Sequence, residues 1–256
     1  MQIDLNCDMG ESFGHWSMGH DEGMMRFISS ANVAGGFHAG DPTTLRKTVA
    51  LAKEHGVAVG VHSGYRDLVG FGRREINASP EEIRDELIYQ LGAVREFCRL
   101  YDVPLQHVKP HGALYMAAAR DEDLSRAIIE AIQGLDPGLH LFCMEGSVTY
   151  RLGKEMGQSV VAEFFADRAY NDEGQIVFTR AVTERLDPEE VGERVVRAIT
   201  EGKVTAESGR DVPVASDSVC VHGDTPGAVG LAEAIVEKLR ESSIEVRPLG
   251  RAGQTV

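Results

Sequence analysis

The sequence predicts an α/β protein of the closed, parallel β/α-barrel type, with seven strands and an eighth left open. Three observations lead there. Short strand-like runs alternate with helical segments along the whole chain, seven or eight such units fit into 256 residues, and a histidine stands at the end of four of the strands. Alternating strands and helices imply right-handed crossovers and a parallel sheet, and this number of units suits a TIM-like barrel. An open doubly wound sheet is the alternative. No shift in composition divides the chain, so a single domain over residues 1–250 is expected, followed by a loose polar tail at 251–256.

The first strand is read from Ile3, Leu5 and Cys7, apolar at alternate positions, with Asn6, Asp8, Gly10 and Glu11 gathering where it ends. A Gly- and His-rich loop (Ser12–His20) and a short helix (Asp21–Ile28) follow. The second strand, Ser30–Ala34, runs into Gly35-Gly36-Phe37-His38. Asp41 as N-cap, Pro42 at the first helical position and Gly56 as stop define a helix. Val57–His62 is the third strand. Ser79-Pro80-Glu81-Glu82 is a capping box opening a long helix with Ile83, Leu87, Leu91, Val94, Cys98 and Tyr101 inward.

Leu105–Val108 is the fourth strand and ends in Lys109-Pro110-His111-Gly112. A helix capped by Asp121, strands Leu139–Met144 and Ser159–Phe165, and a helix between them (Val148–Met156) come next. Phe164–Arg180 is an irregular insertion expected to fold as a hairpin over the site. Asp187-Pro188-Glu189-Glu190 starts a helix that stops before Gly202. The seventh strand is Val219–His222, Thr225-Pro226 opens the last helix, and Ile244–Leu249 is the candidate eighth strand.

Composition narrows the function. A net charge of −14 argues against nucleic-acid or anionic-membrane partners, which need clustered Lys and Arg. No apolar run approaches a membrane span, and Met1-Gln2-Ile3-Asp4 does not open a signal peptide. Cys7, Cys98, Cys143 and Cys220 lack C-x-x-C spacing and read as reduced core thiols of a cytoplasmic protein. Neither dinucleotide nor P-loop fingerprint nor nucleophile elbow is present.

In a parallel barrel the loops after the strands form the active face. His38, His62, His111 and His222 all fall there, so the fold would bring them together. His38-Ala39-Gly40-Asp41-Pro42 echoes His222-Gly223-Asp224-Thr225-Pro226; Asp41 and Asp224 serve either as helix caps or at the site. Lys109 shares a strand face with His111 and suits an anion or oxyanion site. Glu163 sits at the sixth tip, where a salt bridge to Lys109 is the bland alternative. Asp8 is the leading general base, on the expectation that a closed pocket raises its pKa. Arg73-Arg74 either clamps an anion or is a solvated pair. Asp8, His38 and His62 are ligand types of metal-dependent hydrolases. The signal for a metal is weak, so a divalent metal stays open and no ligand is assigned.

Read as strings, these tips resemble the LamB/YcsF family. The matching segments are Asp4-Leu-Asn-Cys-Asp-Met-Gly-Glu-Ser-Phe-Gly14, Ser30-Ala-Asn-Val-Ala-Gly-Gly-Phe-His-Ala-Gly-Asp-Pro42 and Gly70-Phe-Gly-Arg-Arg74. They continue with His107-Val-Lys-Pro-His-Gly-Ala-Leu-Tyr115, Glu163-Phe-Phe-Ala-Asp-Arg-Ala-Tyr170 and Val221-His-Gly-Asp-Thr-Pro-Gly227. Gly35 stands where the family has cysteine, which removes a cysteine nucleophile there. Ser63-Gly64 replaces Pro-Ser, and Met116 replaces asparagine.

The resemblance implies a seven-stranded barrel similar to that of sugar deacetylases. It implies ATP-dependent opening of 5-oxo-L-proline to L-glutamate, with ATP as co-substrate and 5-oxoprolinase subunits B and C as partners. On that footing Asp8, His62, Lys109 and His111 are expected to be catalytic: Asp8 activating water, Lys109 and His111 stabilising the oxyanion or phosphate, His62 protonating the leaving nitrogen. Asn6, Glu11, His38, Asp41, Arg73, Glu163, Arg168, His222 and Asp224 are expected to bind substrate, Arg73 or Arg168 through a bidentate carboxylate contact. The alternatives are a stand-alone metal-dependent amide hydrolase or deacetylase, and a non-catalytic lactam-binding subunit.

Overall fold

The structure, a computed structural model, describes residues 1–179, 183 and 185–250. The expected tail at 251–256 and Arg180, the last residue of the expected hairpin insertion, lie outside the described residues. In chain order the first half runs β1 (Gln2–Met9), α1 (Asp21–Met24), β2 (Ser30–Ala34), α2 (Pro42–His55), β3 (Ala58–Ser63), α3 (Pro80–Leu100), β4 (Leu105–Pro110), α4 (Gly112–Ala118) and α5 (Glu122–Leu135). The second half is β5 (His140–Cys143), α6 (Val148–Glu155), β6 (Val160–Phe165), α7 (Pro188–Glu201), β7 (Lys203–Thr205), β8 (Asp211–Pro213), β9 (Ser218–Cys220), α8 (Ala228–Glu241) and β10 (Glu245–Val246).

Strands β1-β2-β3-β4-β5-β6-β9 pair in parallel in that order, and β9 pairs back onto β1 with Asp4 opposite Ser218. The sheet is therefore a closed seven-stranded barrel. The candidate eighth strand forms only as β10, which adds two residues beside Gln2 and Ile3 outside the ring. The segment after it crosses the amino-terminal end of the barrel: Gln106 Nε2 donates to the Leu249 carbonyl at 2.5 Å, and a His140 ring nitrogen meets the Gly250 carbonyl.

The helix signals hold at most ends. Asp41 Oδ1 accepts from Thr44 N at 2.8 Å and Gly56 ends α2 at φ 69°. Ser79 and Glu82 form the reciprocal capping box of α3. Asp187 accepts from Glu189 N and Glu190 N to start α7. Two expectations are corrected. Helix α1 stops at Met24, and the chain then turns so that Met24, Met25 and Ile28 are all buried. Helix α8 starts at Ala228 rather than at Thr225-Pro226, because Gly227 takes φ 82° and Thr225 turns its hydroxyl to Asp167. Helix α4 and the antiparallel β7–β8 pair occupy stretches with no strong sequence signal.

The two faces of the barrel wall differ sharply. Ile3, Leu5, Cys7 and Met9 belong to the buried apolar core. The alternate residues Asp4, Asn6 and Asp8 point into the barrel, where Asn6 Nδ2 donates to Ser218 Oγ and Asn32 Nδ2 donates to Asn6 Oδ1, each at 2.7 Å. A polar ladder thus rises through the lumen. It needs Gly60, since a Cβ there would lie 2.1 Å from the His107 ring. That ring stacks on Phe142 with centroids 4.3 Å apart. Its Nε2 lies 2.7 Å from Asn32 Oδ1. Every rung is hydrogen-bonded, as a buried polar network must be.

Candidate active site

The ladder ends at the carboxyl mouth in one ionic cluster. Lys109, 2% exposed, reaches up from β4 and sets Nζ 3.0 Å from Asp8 Oδ1, 2.8 Å from Glu163 Oε1 and 3.0 Å from Cys220 Sγ. The bland pairing of Glu163 with Lys109 therefore exists, but within a larger set. Burial alone would strip the Lys109 charge; Asp8, Cys220 and Glu163 outweigh it and hold the pKa well above that of free lysine. The Phe165 ring lies 5.3 Å from Nζ.

Asp8 is the hub. Its Oδ1 accepts from Asn32 Nδ2 at 2.8 Å as well as from Lys109, and its Oδ2 lies 3.2 Å from His62 Nε2 and 3.6 Å from His222 Nε2. The expected upward pKa shift is corrected. Burial pushes the carboxyl up, but His62 and Lys109 overcome it and hold Asp8 well below the usual carboxylate range. Asp8 is thus held toward its carboxylate form, as an ionic anchor, which argues against a general-base role.

Three histidines pack beside it. His62 Nδ1 is 3.0 Å from the Lys109 carbonyl, His111 Nε2 is 2.7 Å from the Phe71 carbonyl, and His62 Nε2 meets His111 Nδ1 at 2.8 Å. His38 stacks on His111 with centroids 3.9 Å apart. Its Nε2 lies 3.9 Å from Glu11 Oε1. Burial first, then the neighbouring histidines, hold the pKa values of His38 and His111 well below that of free histidine. Burial first, then Asp8 and Asp224, pushes Glu11 well above the carboxylate range.

The fourth tip histidine is fixed differently. Asp167 Oδ1 lies 2.9 Å from His222 Nδ1, Asp167 Oδ2 accepts from the Thr225 hydroxyl at 2.6 Å, and Arg168 Nη1 lies 2.9 Å from the same oxygen. Burial opposes ionisation of Asp167, but His222 and Arg168 hold its pKa below the usual value. His222 therefore donates from Nδ1 and turns Nε2 toward Asp8.

At the rim Arg73 pairs with Asp224 at 2.7 Å, and Arg168 lies 4.0 Å from Asp224. Asp8, His62, Arg73, Lys109, His111, Tyr115, Met116, Phe165, Arg168 and His222 line a cleft. The expected hairpin covers it: Tyr170 bridges Ile176, Asn171 N donates to the Gln175 carbonyl at 2.8 Å, and Ile176 and Phe178 reach the cleft.

Of the residues named from sequence, Asp8, Glu11, His38, His62, Lys109, His111, Glu163 and His222 are brought together, with Arg73, Arg168 and Asp224 above them. Asn6 lies beneath Asp8 at 0% exposure and belongs to the ladder. Asp41 stays outside: it caps α2 and accepts from Gly14 N at 2.8 Å. Sequence reasoning gave no role to Asp167, Asn32, Tyr115 or Cys220. Asp167 alone had a signal, as an acid beside Arg168 at a strand tip. The Gly35 and Gly64 departures meet on Gln90, whose amide donates to the Gly64 carbonyl at 3.1 Å and accepts from Gly64 N at 3.0 Å. A Cβ on Gly35 would lie 2.6 Å from Gln90 Cβ.

These features define a class: a seven-stranded parallel β/α barrel whose mouth holds a buried carboxylate–lysine–histidine cluster. The chain belongs to the LamB/YcsF family, whose sequence profile matches residues 3–254. It is 56% identical over 249 residues to the second of the 5-oxoprolinase A subunits of Pseudomonas syringae pv. tomato, covering 96% of this chain and 99% of that one. The lactam utilization protein from Thermus thermophilus superposes with a TM-score of 0.90 at 44% identity, covering 97% of this chain and 100% of the other. The family 4 carbohydrate esterase from Streptomyces lividans shares the fold alone, with a TM-score of 0.55 at 11% identity, covering 100% of this chain and 98% of that one.

Proposed function

We propose that the chain is the A subunit of an ATP-dependent 5-oxoprolinase and carries the lactam-opening site of the complex. The observation that supports this most is the convergence of Asp8, Lys109, His62, His111 and His222 on one cleft in a chain that aligns end to end with a 5-oxoprolinase A subunit. A five-membered lactam is a stable amide, so its opening gains from coupling to ATP. Transfer of the γ-phosphoryl group to the amide oxygen releases ADP and leaves an imidate phosphate. Water adds to the ring carbon and the C–N bond breaks, giving an acyl phosphate. A second water then releases phosphate and glutamate.

In this reading Lys109 offsets the negative charge that grows on the reacting oxygens, and His111 lines the same wall. Asp8 orients the attacking water, and His222, backed by Asp167, takes its proton through Nε2. His222 then passes that proton to the ring nitrogen, which must leave before phosphate if the lactam is not simply to re-form; His62, with Nδ1 on the Lys109 carbonyl and Nε2 against Asp8 and His111, lines the wall. Arg73 or Arg168 receives the substrate carboxylate. With no phosphate-binding loop in the sequence, ATP is held wholly or partly by subunits B and C. Exposed apolar side chains on the mouth loops, Trp16, Leu68, Val69 and Phe178, suit docking there. Four buried free cysteines suit the reducing cytoplasm.

The test is glutamate release from 5-oxoproline by this chain alone and with subunits B and C, with and without ATP. Activity is expected only in the full mixture with ATP, and Asp8→Asn is expected to lower it at least about 100-fold. ATP-independent turnover by the chain alone would replace this reading with a metal-assisted amide hydrolase. An Asp8→Asn complex within a few-fold of wild type would leave a lactam-binding subunit.

A further inference from the structure

His38 and Glu11 stand beside the cluster with polar atoms unaccounted for. They are 0% and 5% exposed, yet neither His38 ring nitrogen nor Glu11 Oε1 has a hydrogen-bond partner. Folded proteins rarely bury such atoms without compensation.

Counting hydrogens on the neighbouring rings leads to the same place. His62 Nδ1 faces the Lys109 carbonyl and His111 Nε2 faces the Phe71 carbonyl. A carbonyl only accepts, so both nitrogens carry hydrogen. His62 Nε2 and His111 Nδ1 then turn lone pairs toward each other at 2.8 Å. Donation of the far N–H to a backbone carbonyl is how metal-ligating histidines are oriented. One proton shared between the two rings would satisfy that pair and leave His38 and Glu11 unpartnered. One cation satisfies all four.

We propose that Glu11, His38, His62 and His111 hold a single first-row divalent metal ion, zinc by preference. Three imidazoles and one carboxylate form a donor set of borderline softness, which suits zinc better than calcium or magnesium. One donor atom from each residue lies within 4.8 Å of the others. Tetrahedral zinc would set them roughly 3.3–3.5 Å apart, so His62 Nε2 and His111 Nδ1, at 2.8 Å, would part slightly while the wider pairs draw in. The rings can gather because glycines flank them: a Cβ on Gly64 would lie 2.5 Å from His38 Nδ1, and one on Gly72 would lie 2.7 Å from His111 Cδ2. Asp8 stands beside the ligands, Oδ2 3.2 Å from His62 Nε2, with its other oxygen already taken by Lys109 and Asn32. An ion there would supply Lewis acidity at the floor of the cleft. The proposal rests on the site described above and names the cofactor it would take.

The test uses the full chain without a polyhistidine tag, stripped by chelation and titrated with Co(II) and with zinc. The expected result is one equivalent per chain, the intense visible bands of four-coordinate Co(II), their loss on adding zinc, and a rise in Tm on loading. His38→Gln and Glu11→Gln, confirmed as folded by circular dichroism, are expected to bind at least about tenfold more weakly. Binding well below one equivalent in the wild type, or unchanged affinity in the folded variants, would overturn the proposal. If neither variant folds, the wild-type spectrum decides: four-coordinate bands support the site, and weak octahedral bands overturn it. No readout depends on glutamate release, so this proposal and the oxoprolinase reading can fail separately.

Discussion

At the scale of single residues, Lys109 is the pivot. It carries the one ammonium between two buried carboxylates, Asp8 and Glu163. Removing one partner of a buried ionic set is costly because the others are left uncompensated, so Lys109→Met is expected to destabilise the fold by about 3–5 kcal/mol. Urea denaturation measures this, and adding Glu163→Gln should recover part of the loss. Asp167 gives a pH signature. Its folded pKa is held below its unfolded value, so its contribution is full above about pH 4 and is lost as pH falls toward the folded value. Asp167→Asn is therefore expected to cost about 3 kcal/mol at pH 7. The gap to wild type should narrow by about 1 kcal/mol per unit below pH 4, as followed by denaturation from pH 7 to pH 3. The chemistry of this cluster was legible in the sequence only as types at strand ends. The histidines, Lys109 and Asp8 could be placed at one mouth because a barrel forces them there. The sign of the Asp8 shift could not be read, because it depends on His62 and Lys109 lying within 3.2 Å, which spacing along the chain does not encode.

At the scale of elements, strong local codes were readable and weak ones were not. Asp41-Pro42, Ser79-Pro80 and Asp187-Pro188 each cap a helix where expected, since a cap is decided within four residues. Helix α4 was missed because seven residues carry too little periodicity, and its start is set by His111 and Gly112 at the site. The two-residue β10 exists only through pairing with β1. Strand polarity was half legible: the alternation of Ile3, Leu5 and Cys7 was plain, but not that the apolar side faces the helices and the polar side fills the lumen. Gly60 on β3 tests that arrangement. Gly60→Ala drives a methyl group into the His107 ring and is expected to cost about 1–3 kcal/mol, seen as a lower urea midpoint.

At the scale of the whole molecule, stability and chemistry sit at opposite ends. The amino-terminal end is closed by the segment from Ile244, whose Leu249 and Gly250 carbonyls meet Gln106 and His140. Truncation after Ser243 is expected to cost about 3 kcal/mol through lost burial of Ile244 and lost hydrogen bonds. KM for 5-oxoproline in the assembled complex should change by less than about twofold, which separates the strap from the mouth. The closure of β9 onto β1 has a further consequence, during synthesis. Asp4 must wait for Ser218, and at 5–20 residues per second that wait is about 10–40 s on the ribosome. Throughout it β1 has an unpaired edge, a hazard for aggregation in a strand whose alternate residues Ile3, Leu5, Cys7 and Met9 are apolar. The lumen-facing Asp4 and Asp8 lie on that same strand, so the charges that later build the polar ladder also keep the nascent chain apart from its copies.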